Sequence, residues 1–374
     1  MQQVQNMTGA QIFYPGPAYN NGGTIPGSAV VDLKTLSTSA LNATLYNDWG
    51  YANQTPACAA ADGGGSPGAT GAGWGAPWVL GSGTTAGIAY INTGNRGPYT
   101  SPCNPGPDLW SSAVMALNET NGNWIWGFQT SAHDVWDYDC AWNQALGNET
   151  VNGANTPVLW KTCKNGYLYE LNALNGKMIW AWSPTQNILA RCQYCYMHNP
   201  MNTTEMTEAF FNPSLANTLM YPQASAGFEM DFSYSPTLNY IFTASQNVPG
   251  YEHYIQLNST NYGKTNGFSG IAIAATAKVN DNATIEAVNA ATGQMVWSHL
   301  IAPAGQGFRG GLTNSGNVVY VPLASGDVQM LNAATGALLD DVLIGGPVQV
   351  LPAIGATSTG QPLVLLSIDT GIGS

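Results

Sequence analysis

The sequence predicts an all-β fold, a β-propeller of four-stranded antiparallel blades, on the strength of three observations. First, a sequence motif recurs in which a β-like run is followed by Asn-x-x-x-Gly-x-x-x-Trp. It occupies residues Ala113–Trp126, Tyr167–Trp180 and Thr284–Trp297. Second, a fourth copy, Asp327–Asp340, keeps the Asn and the Gly but has Asp where Trp is expected. Third, the 374 residues include 44 Gly, 22 Pro, 12 Trp and 18 Tyr, and no long amphipathic helix is visible. A repeated strand, turn and strand indicates one small sheet per repeat, stacked on its neighbours.

The spacing of the copies predicts about five to six blades in a single propeller domain, residues 1–374. The second and third copies lie about two blade lengths apart, if one blade takes roughly 40–55 residues. Residues 231–245 in that gap read as strand, Pro turn and strand, which indicates a degenerate unit. Residues 87–95 and 28–37 read as further strands upstream. We interpret the tryptophans of the repeat as packing groups between adjacent sheets.

The charge content narrows the class of function. Only 8% of residues are Asp, Glu, Lys or Arg, and the formal net charge is −12. No nucleic-acid binding is expected, because it needs clustered Lys and Arg to replace counterions. Disorder is not expected either, because 44% of the chain is hydrophobic. Two interpretations stay open: an ordinary Gly-rich β protein, or a surface suited to acidic surroundings, where carboxylates carry little charge.

Eight Asn-x-Ser/Thr acceptor sites predict an exported or cell-surface protein that carries N-glycans on exposed loops. The alternative is that the sites arise by chance in an Asn-rich chain. The eight acceptors are Asn6, Asn42, Asn53, Asn118, Asn148, Asn202, Asn258 and Asn282.

The six cysteines fit the same extracellular setting, because an even number allows up to three disulfides whose pairing the sequence leaves open. Cys192 and Cys195 form a C-x-x-C followed by Tyr196, so they are not the motif of covalent haem attachment. Zinc binding with His198 is the alternative to the structural disulfide that we favour. The first residues lack the apolar core of a signal peptide, so export requires a leader outside this sequence. No run of 18 apolar residues is present, and no transmembrane segment is expected.

Several further stretches resemble the pyrroloquinoline quinone (PQQ)-dependent alcohol dehydrogenases, the quinoprotein family. Residues 73–95 resemble its Trp-Gly-x-Pro segment, residues 127–139 its His-Asp-x-Trp-Asp signature, and residues 163–177 its strand with a basic-Asn-Gly turn. Residues 308–336 and 362–373 resemble its closing blades. The resemblance implies an eight-bladed propeller with tryptophan-docking motifs. The matches start two or so blades into the family pattern, so the upstream blades are removed, lie on another chain, or are absent because this propeller is smaller. An open fragment would expose sheet edges, and we therefore expect a missing partner segment, with a partner chain as one possible source of the blades.

The resemblance implies a cofactor site as well. PQQ is a flat, tri-anionic ortho-quinone that the protein must sandwich and orient, and a Ca²⁺ ion beside it acts as a Lewis acid. Trp74 matches the floor under the ring, and Phe308 stands where the family has another Trp. Asn95 and Asp108 match oxygen ligands of the calcium, with Asp108 also the general base on the alcohol. Lys164 matches the basic residue that donates to the quinone oxygens.

Each of these residues has a simpler interpretation. Trp74 is alternatively one more blade-packing indole, Asn95 a turn residue in a left-handed conformation, and Asp108 an ordinary loop carboxylate. Lys164 is the strongest candidate, because the chain has only nine basic residues and this one lies between two strands. Residues 133–137 are expected to form a hydrogen-bonded corner that braces the loop.

The sequence also departs from the family pattern. Residues 14–32 contain no Glu to serve as the calcium ligand, no adjacent cysteine pair exists, and residues 226–232 do not keep the family's Gly-Asn-Trp. Two functions therefore stay open. The first is an exported dehydrogenase that oxidises an alcohol or sugar and passes electrons to an external acceptor. The second is a non-catalytic, glycosylated cell-surface, filament or interaction protein. A third possibility is a scaffold propeller in an envelope complex, as in bacterial outer-membrane assembly.

Overall fold

The fold is built almost entirely from short strands joined by turns. The structure is a computed structural model, and it describes residues 11–12, 78–94, 112–131, 137–184, 218–220, 222, 227–248, 250–254, 271–274, 282–301, 310–348 and 350–368. Within these ranges the helical structure is a 3₁₀ turn, Gly83–Thr85. The strands are β1 (Gln11–Ile12), β2 (Val79–Leu80), β3 (Ile88–Asn92), β4 (Ala113–Asn118), β5 (Trp124–Gln129), β6 (Gln144–Val151), β7 (Ala154–Cys163), β8 (Tyr167–Asn172), β9 (Met178–Trp182), β10 (Thr218–Met220), β11 (Ser233–Ser235), β12 (Tyr240–Asn247), β13 (Gly250–Tyr254), β14 (Ile271–Ala274), β15 (Asn282–Asn289), β16 (Met295–Ile301), β17 (Thr313–Ser315), β18 (Val318–Pro322), β19 (Asp327–Asn332), β20 (Leu338–Leu343), β21 (Ala353–Ala356) and β22 (Pro362–Leu365).

Four antiparallel sheets of four strands follow one another along the chain, which confirms the predicted all-β propeller architecture. Strands β2 to β5 form the first blade, with β1 added in parallel at the edge of β5. Strands β6 to β9 form the second blade, and β17 to β20 form the fourth. The third blade contains β11, β12, β15 and β16. A hairpin of β21 and β22 follows the fourth blade.

The long gap between the second and third copies of the repeat is explained by an excursion within the third blade. The predicted strand, turn and strand at residues 231–245 is present as β11 and β12, but these strands pair with the third copy of the repeat rather than forming a separate unit. The excursion between β12 and β15 carries β13 and β14, which form a three-stranded sheet with β10. The extra sheet between the second and third copies is therefore formed by β10, β13 and β14, and not by residues 231–245 as the sequence indicated.

The repeat tryptophans lie between blades, as the sequence predicts. The indole Nε1 of Trp126 donates to the carbonyl of Ala173 in the second blade at 2.8 Å. Trp180 and Trp297 make the same bond to Ala290 and Ala333 of the blades that follow them, at 3.2 and 3.0 Å. Each ring lies on the repeat glycine of the next blade, where a side chain would collide with it. A Cβ built on Gly176 would come within 2.5 Å of the Trp126 ring.

Three apolar clusters fill the spaces between successive blades. The first joins the first and second blades, the second joins the second and third, and the last joins the third and fourth. The first strands of neighbouring blades lie close together, as β11, β17 and β21 show. Asp231, just before β11, ties three blades at this point: its Oδ1 accepts from the amide of Asn143 at 2.8 Å, and its carbonyl accepts from the amide of Leu312 at 3.0 Å. The first strands therefore converge on the common axis of the blades.

Candidate functional site

The Lys-Asn-Gly turn between β7 and β8 places a buried cation in the second blade. Gly166 closes the turn at φ +85°, a conformation that favours glycine. Asn165 fixes the turn from within, because its Nδ2 donates to the hydroxyl of Tyr169 at 2.7 Å and to the carbonyl of Thr130 at 3.1 Å. Only 4% of the Lys164 side chain is exposed. The turn therefore holds an ammonium group in a fixed position.

Three carboxylates surround that ammonium group. The Nζ of Lys164 lies 2.9 Å from Asp137 Oδ2, 3.6 Å from Asp139 Oδ2 and 3.5 Å from Glu229 Oε1. Asp137 and Asp139 come from the segment that leads into the second blade, and Glu229 from the segment that leads into the third. The cluster therefore bridges two blades.

The electrostatics of the cluster favour a permanently charged lysine. Burial by itself lowers the pKa of Lys164, but the neighbouring carboxylates outweigh it and raise the pKa above its ordinary value. Burial raises the pKa of Asp137 to about 6, against the opposing effect of the Lys164 charge. Asp137, the most exposed of the three carboxylates at 23%, therefore changes charge near pH 6 while Lys164 stays cationic.

A disulfide holds the two segments of the site together. Cys140 follows Asp139, Cys163 precedes Lys164, and the two cysteines are bonded across 23 residues of sequence. The amide of Lys164 also donates to the carbonyl of Asp139 at 2.9 Å. The sequence predicts disulfides but leaves their pairing open. Within the described residues, Cys140–Cys163 is the disulfide that forms.

We expect the double substitution Cys140→Ser and Cys163→Ser to lower the free energy of unfolding by about 2–3 kcal/mol, since the disulfide limits the freedom of the unfolded chain. Urea unfolding measures this loss. Hydrogen exchange at the Lys164 amide should also be faster in this variant, because the disulfide no longer holds Lys164 against the Asp139 carbonyl that accepts its hydrogen bond. An unchanged unfolding midpoint would contradict the prediction.

Most of the sequence-predicted site residues lie outside the described ranges. These are Trp74, Asn95, Asp108 and Phe308, along with the Cys192–Cys195 motif and residues 133–136. Lys164 is described, and Asp137 of the predicted corner binds it directly. The predicted meeting of Lys164 with the other four candidates therefore stays a prediction.

Asp139 and Glu229 could not be singled out from the sequence as partners of Lys164. A weak signal was available, since acidic side chains are sparse and two of them flank Tyr138 beside the His-Asp-x-Trp-Asp signature. Lys161 was also missed. It is fully buried, its Nζ donates to the carbonyls of Trp142 and Asn143, and burial lowers its pKa to about 7 despite the charge of Asp231.

Three of the predicted glycan acceptors are described. Asn148 is exposed on β6. The other two are half-buried and bonded: Asn118 Oδ1 accepts from the amide of Thr120 at 3.0 Å, and Asn282 Oδ1 accepts from Asn247 Nδ2 at 2.9 Å. Asn148 is therefore the most accessible of the three.

The donor set at Lys164 fits one end of a PQQ molecule. An ammonium group with several protons suits the neutral carbonyl oxygens of an ortho-quinone, whereas the surrounding carboxylates do not suit the tri-carboxylate end. Across the described part of the chain, no three His, Cys, Asp or Glu side chains are arranged to hold a metal ion. The proposed Ca²⁺ ligands Asn95 and Asp108 lie outside that part. No helix in the described ranges has the length and hydrophobicity to cross a membrane.

Comparison with known proteins supports the architecture and the resemblance. Residues 48–188 match the family described as the β-propeller domain of glucose, ethanol and alcohol dehydrogenases that use PQQ. Residues 268–351 match a second family, described as outer membrane protein assembly factor BamB.

Individual relatives agree with the first of these matches. A quinoprotein alcohol dehydrogenase, PedH of Pseudomonas putida, is 27% identical over 274 residues, which cover 70% of this chain and 44% of the relative. A lanthanide-dependent methanol dehydrogenase of Methylacidiphilum fumariolicum is 34% identical over 115 residues, or 28% of this chain and 19% of the relative. In fold, the chain resembles the quinohemoprotein alcohol dehydrogenase of Comamonas testosteroni with a TM-score of 0.70 at 21% identity, over 85% of this chain and 47% of that one.

The fold and these comparisons together define the class of protein, which is a β-propeller whose blades are joined by tryptophan docking. The resemblance to PQQ-dependent alcohol dehydrogenases is confirmed, because the chain is similar to members of that family in sequence and in fold. The chain spans less than half the length of the relatives that it matches.

Proposed function

We propose that this chain is the propeller part of an exported quinoprotein dehydrogenase that oxidises an alcohol or a sugar. The observation that carries the proposal is the buried, charge-stabilised Lys164 at the Lys-Asn-Gly turn of a quinoprotein-like propeller. When bound, PQQ supplies the two-electron acceptor, which protein side chains alone cannot provide. Ca²⁺ is the proposed metal, and electrons leave to an external acceptor.

The residues of this chain would divide the work between orientation and proton handling. Lys164 would donate hydrogen bonds to the quinone oxygens. Asp137, Asp139 and Glu229 surround its Nζ and hold it in position. The proposed roles of the other residues follow the resemblance: Trp74 and Phe308 against the ring, and Asn95 and Asp108 on the metal. Asp108 would also take the proton of the substrate hydroxyl.

The experiment that tests this function compares two lysines. After incubation with PQQ and Ca²⁺, the wild-type protein should reduce an electron-accepting dye with at least one substrate from an alcohol and sugar panel. Lys164→Met should lower kcat/KM by ~10²-fold, the usual effect of losing one positioned donor. Lys177→Met, on an exposed turn, should leave the rate unchanged. Fluorescence titration of PQQ measures binding apart from turnover.

A non-catalytic surface or interaction protein is the second candidate, and one observation favours it. The three carboxylates already engage the Lys164 ammonium group, so a cofactor must compete with them for its protons. Absence of PQQ binding by the wild-type protein, with and without Ca²⁺, would reject the dehydrogenase and leave this alternative.

A further inference from the structure

The three carboxylates around Lys164 are not equivalent. Asp137 Oδ2 accepts a hydrogen bond from the Lys164 Nζ at 2.9 Å. The nearest oxygens of Asp139 and Glu229 lie at 3.6 and 3.5 Å from the same nitrogen, longer than a usual N–H···O hydrogen bond. Asp137 is therefore the carboxylate that holds a proton of the ammonium group most closely.

The other two carboxylates are placed beside Lys164 by backbone contacts. The carbonyl of Asp139 accepts from the Lys164 amide at 2.9 Å. Two residues before Glu229, the backbone of Gly227 packs against the Lys164 carbonyl, because a Cβ built on Gly227 would come within 2.3 Å of that oxygen. Asp139 and Glu229 therefore stay near the ammonium group whatever the charge of Asp137.

Asp137 also has an unusual backbone. Its φ is +67°, in the left-handed region that residues other than glycine seldom adopt. Backbone strain of this kind is concentrated at functional sites. Asp and Asn tolerate the left-handed region better than other side chains do, so an asparagine can replace Asp137 without a change of backbone.

The charge of Asp137 changes within the range in which proteins work. Burial raises its pKa to about 6; the charge of Lys164 opposes this shift, and the charges of Asp139 and Glu229 add to it. Lys164 itself stays cationic, because its pKa is raised. Protonation of Asp137 therefore removes one negative charge from the cluster and leaves the ammonium group in place.

We propose that Asp137 is a pH-dependent cap on Lys164: the ionised carboxylate occupies the ammonium group, and the neutral acid releases it to an oxygen ligand. The inference rests on the proposed function, in which that ligand is PQQ. Two effects act in the same direction when Asp137 is neutral. A carboxylic acid is a weaker acceptor for the Lys164 protons than a carboxylate, and the smaller negative charge of the cluster repels an anionic cofactor less. Acid therefore favours the cofactor in its competition with the carboxylates.

NMR of the protein labelled with ¹⁵N-lysine tests the cap without any cofactor. The signal that is missing from Lys164→Met identifies the Lys164 Nζ. In the wild-type protein this signal should shift with a midpoint near pH 6, where Asp137 changes charge. In Asp137→Asn the shift should be lost. A wild-type signal without an inflection between pH 4.5 and pH 7.5, or an inflection that persists in Asp137→Asn, would overturn the proposal.

Fluorescence titration of PQQ at constant Ca²⁺ measures the effect on binding. With a pKa of about 6, roughly 1% of Asp137 is neutral at pH 8, and the apparent Kd rises as the binding-competent fraction falls. The wild-type protein should therefore bind PQQ up to ~100-fold more weakly at pH 8 than at pH 5. Asp137→Asn, which is neutral throughout, should bind equally at both pH values. The control is Asp340→Asn, on the exposed strand β20, which should keep the wild-type pH dependence.

The two measurements separate a failure of the cap from a failure of the proposed function. PQQ binding of equal affinity at pH 5 and pH 8 would keep the dehydrogenase and overturn the cap. An inflection of the Lys164 signal without PQQ binding at any pH would reject the dehydrogenase and support Asp137 as the group that controls this lysine.

Discussion

The substitution Trp126→Ala should lower the free energy of unfolding by about 3–5 kcal/mol. The indole is 1% exposed and lies between the first and second blades, so its removal leaves a large cavity in their shared core. It also leaves the carbonyl of Ala173 without the 2.8 Å bond from Nε1. Chemical denaturation followed by fluorescence or circular dichroism measures the loss.

A pair of glycine substitutions isolates the docking contact from backbone strain. Gly176 and Gly122 have nearly equal dihedral angles, φ +70° and +69°, so alanine is strained at both. At Gly176 the new methyl group also meets the Trp126 ring, whereas at Gly122 the described structure leaves it open space. We expect Gly176→Ala to be more destabilising than Gly122→Ala by about 1–3 kcal/mol, the range for overpacking a core. Equal losses would show that the ring does not constrain this turn.

The same glycines explain why so much of the fold can be predicted from the sequence. Gly176 must accept a positive φ and leave room for a ring, and Trp126 must reach the carbonyl of Ala173. These local requirements allow few residue types, and they recur at a fixed spacing. Asp340 replaces the tryptophan of the fourth copy at the same spacing, and the blade there is followed by an exposed hairpin.

The candidate site is less predictable because its contacts join distant segments. Lys164 stands out by its motif, but Glu229 reaches it only through the packing of the third blade on the second. No local pattern around Glu229 specifies that contact. The pairing of β12 with β15 could not be predicted either, because β15 follows the long excursion that carries β13 and β14. Pairing over such distances depends on the whole fold rather than on spacing.

Two buried carboxyl groups bear on whether the protein is suited to acidic surroundings, which is one of the two interpretations of its low charge content. Glu170 on β8 is fully buried, its Oε2 accepts from the Trp160 indole at 2.6 Å, and its Oε1 has no hydrogen-bond partner. Glu286 on β15 is buried in the same way, with Thr284 bonded to one oxygen and the other oxygen unpartnered. Burial raises the pKa of both. A neutral carboxylic acid suits such a site better than a carboxylate.

The protein should accordingly be more stable in acid than at neutral pH, with Glu170 as a main contributor. Burial, with a smaller effect from nearby Glu149, raises the pKa of Glu170 from 4.5 to about 7. Between these values the folded state binds more protons than the unfolded state, so stability is full below pH 4.5 and falls as the pH rises towards 7. The shift corresponds to a loss on the order of 3 kcal/mol.

Urea unfolding at pH 4.5 and pH 8 measures this difference in the wild-type protein and in Glu170→Gln. The glutamine keeps an oxygen for the Trp160 indole but cannot ionise. The gap, meaning the difference in the free energy of unfolding between the two pH values, should therefore shrink by about 3 kcal/mol. Glu119→Gln, on an exposed turn, serves as the control and should leave the gap unchanged. The remaining gap in Glu170→Gln should keep the same sign, because Asp137 and Glu286 also have raised pKa values. A wild-type-sized gap in Glu170→Gln would show that this carboxyl group is not the proton-binding site on which the acid stability depends.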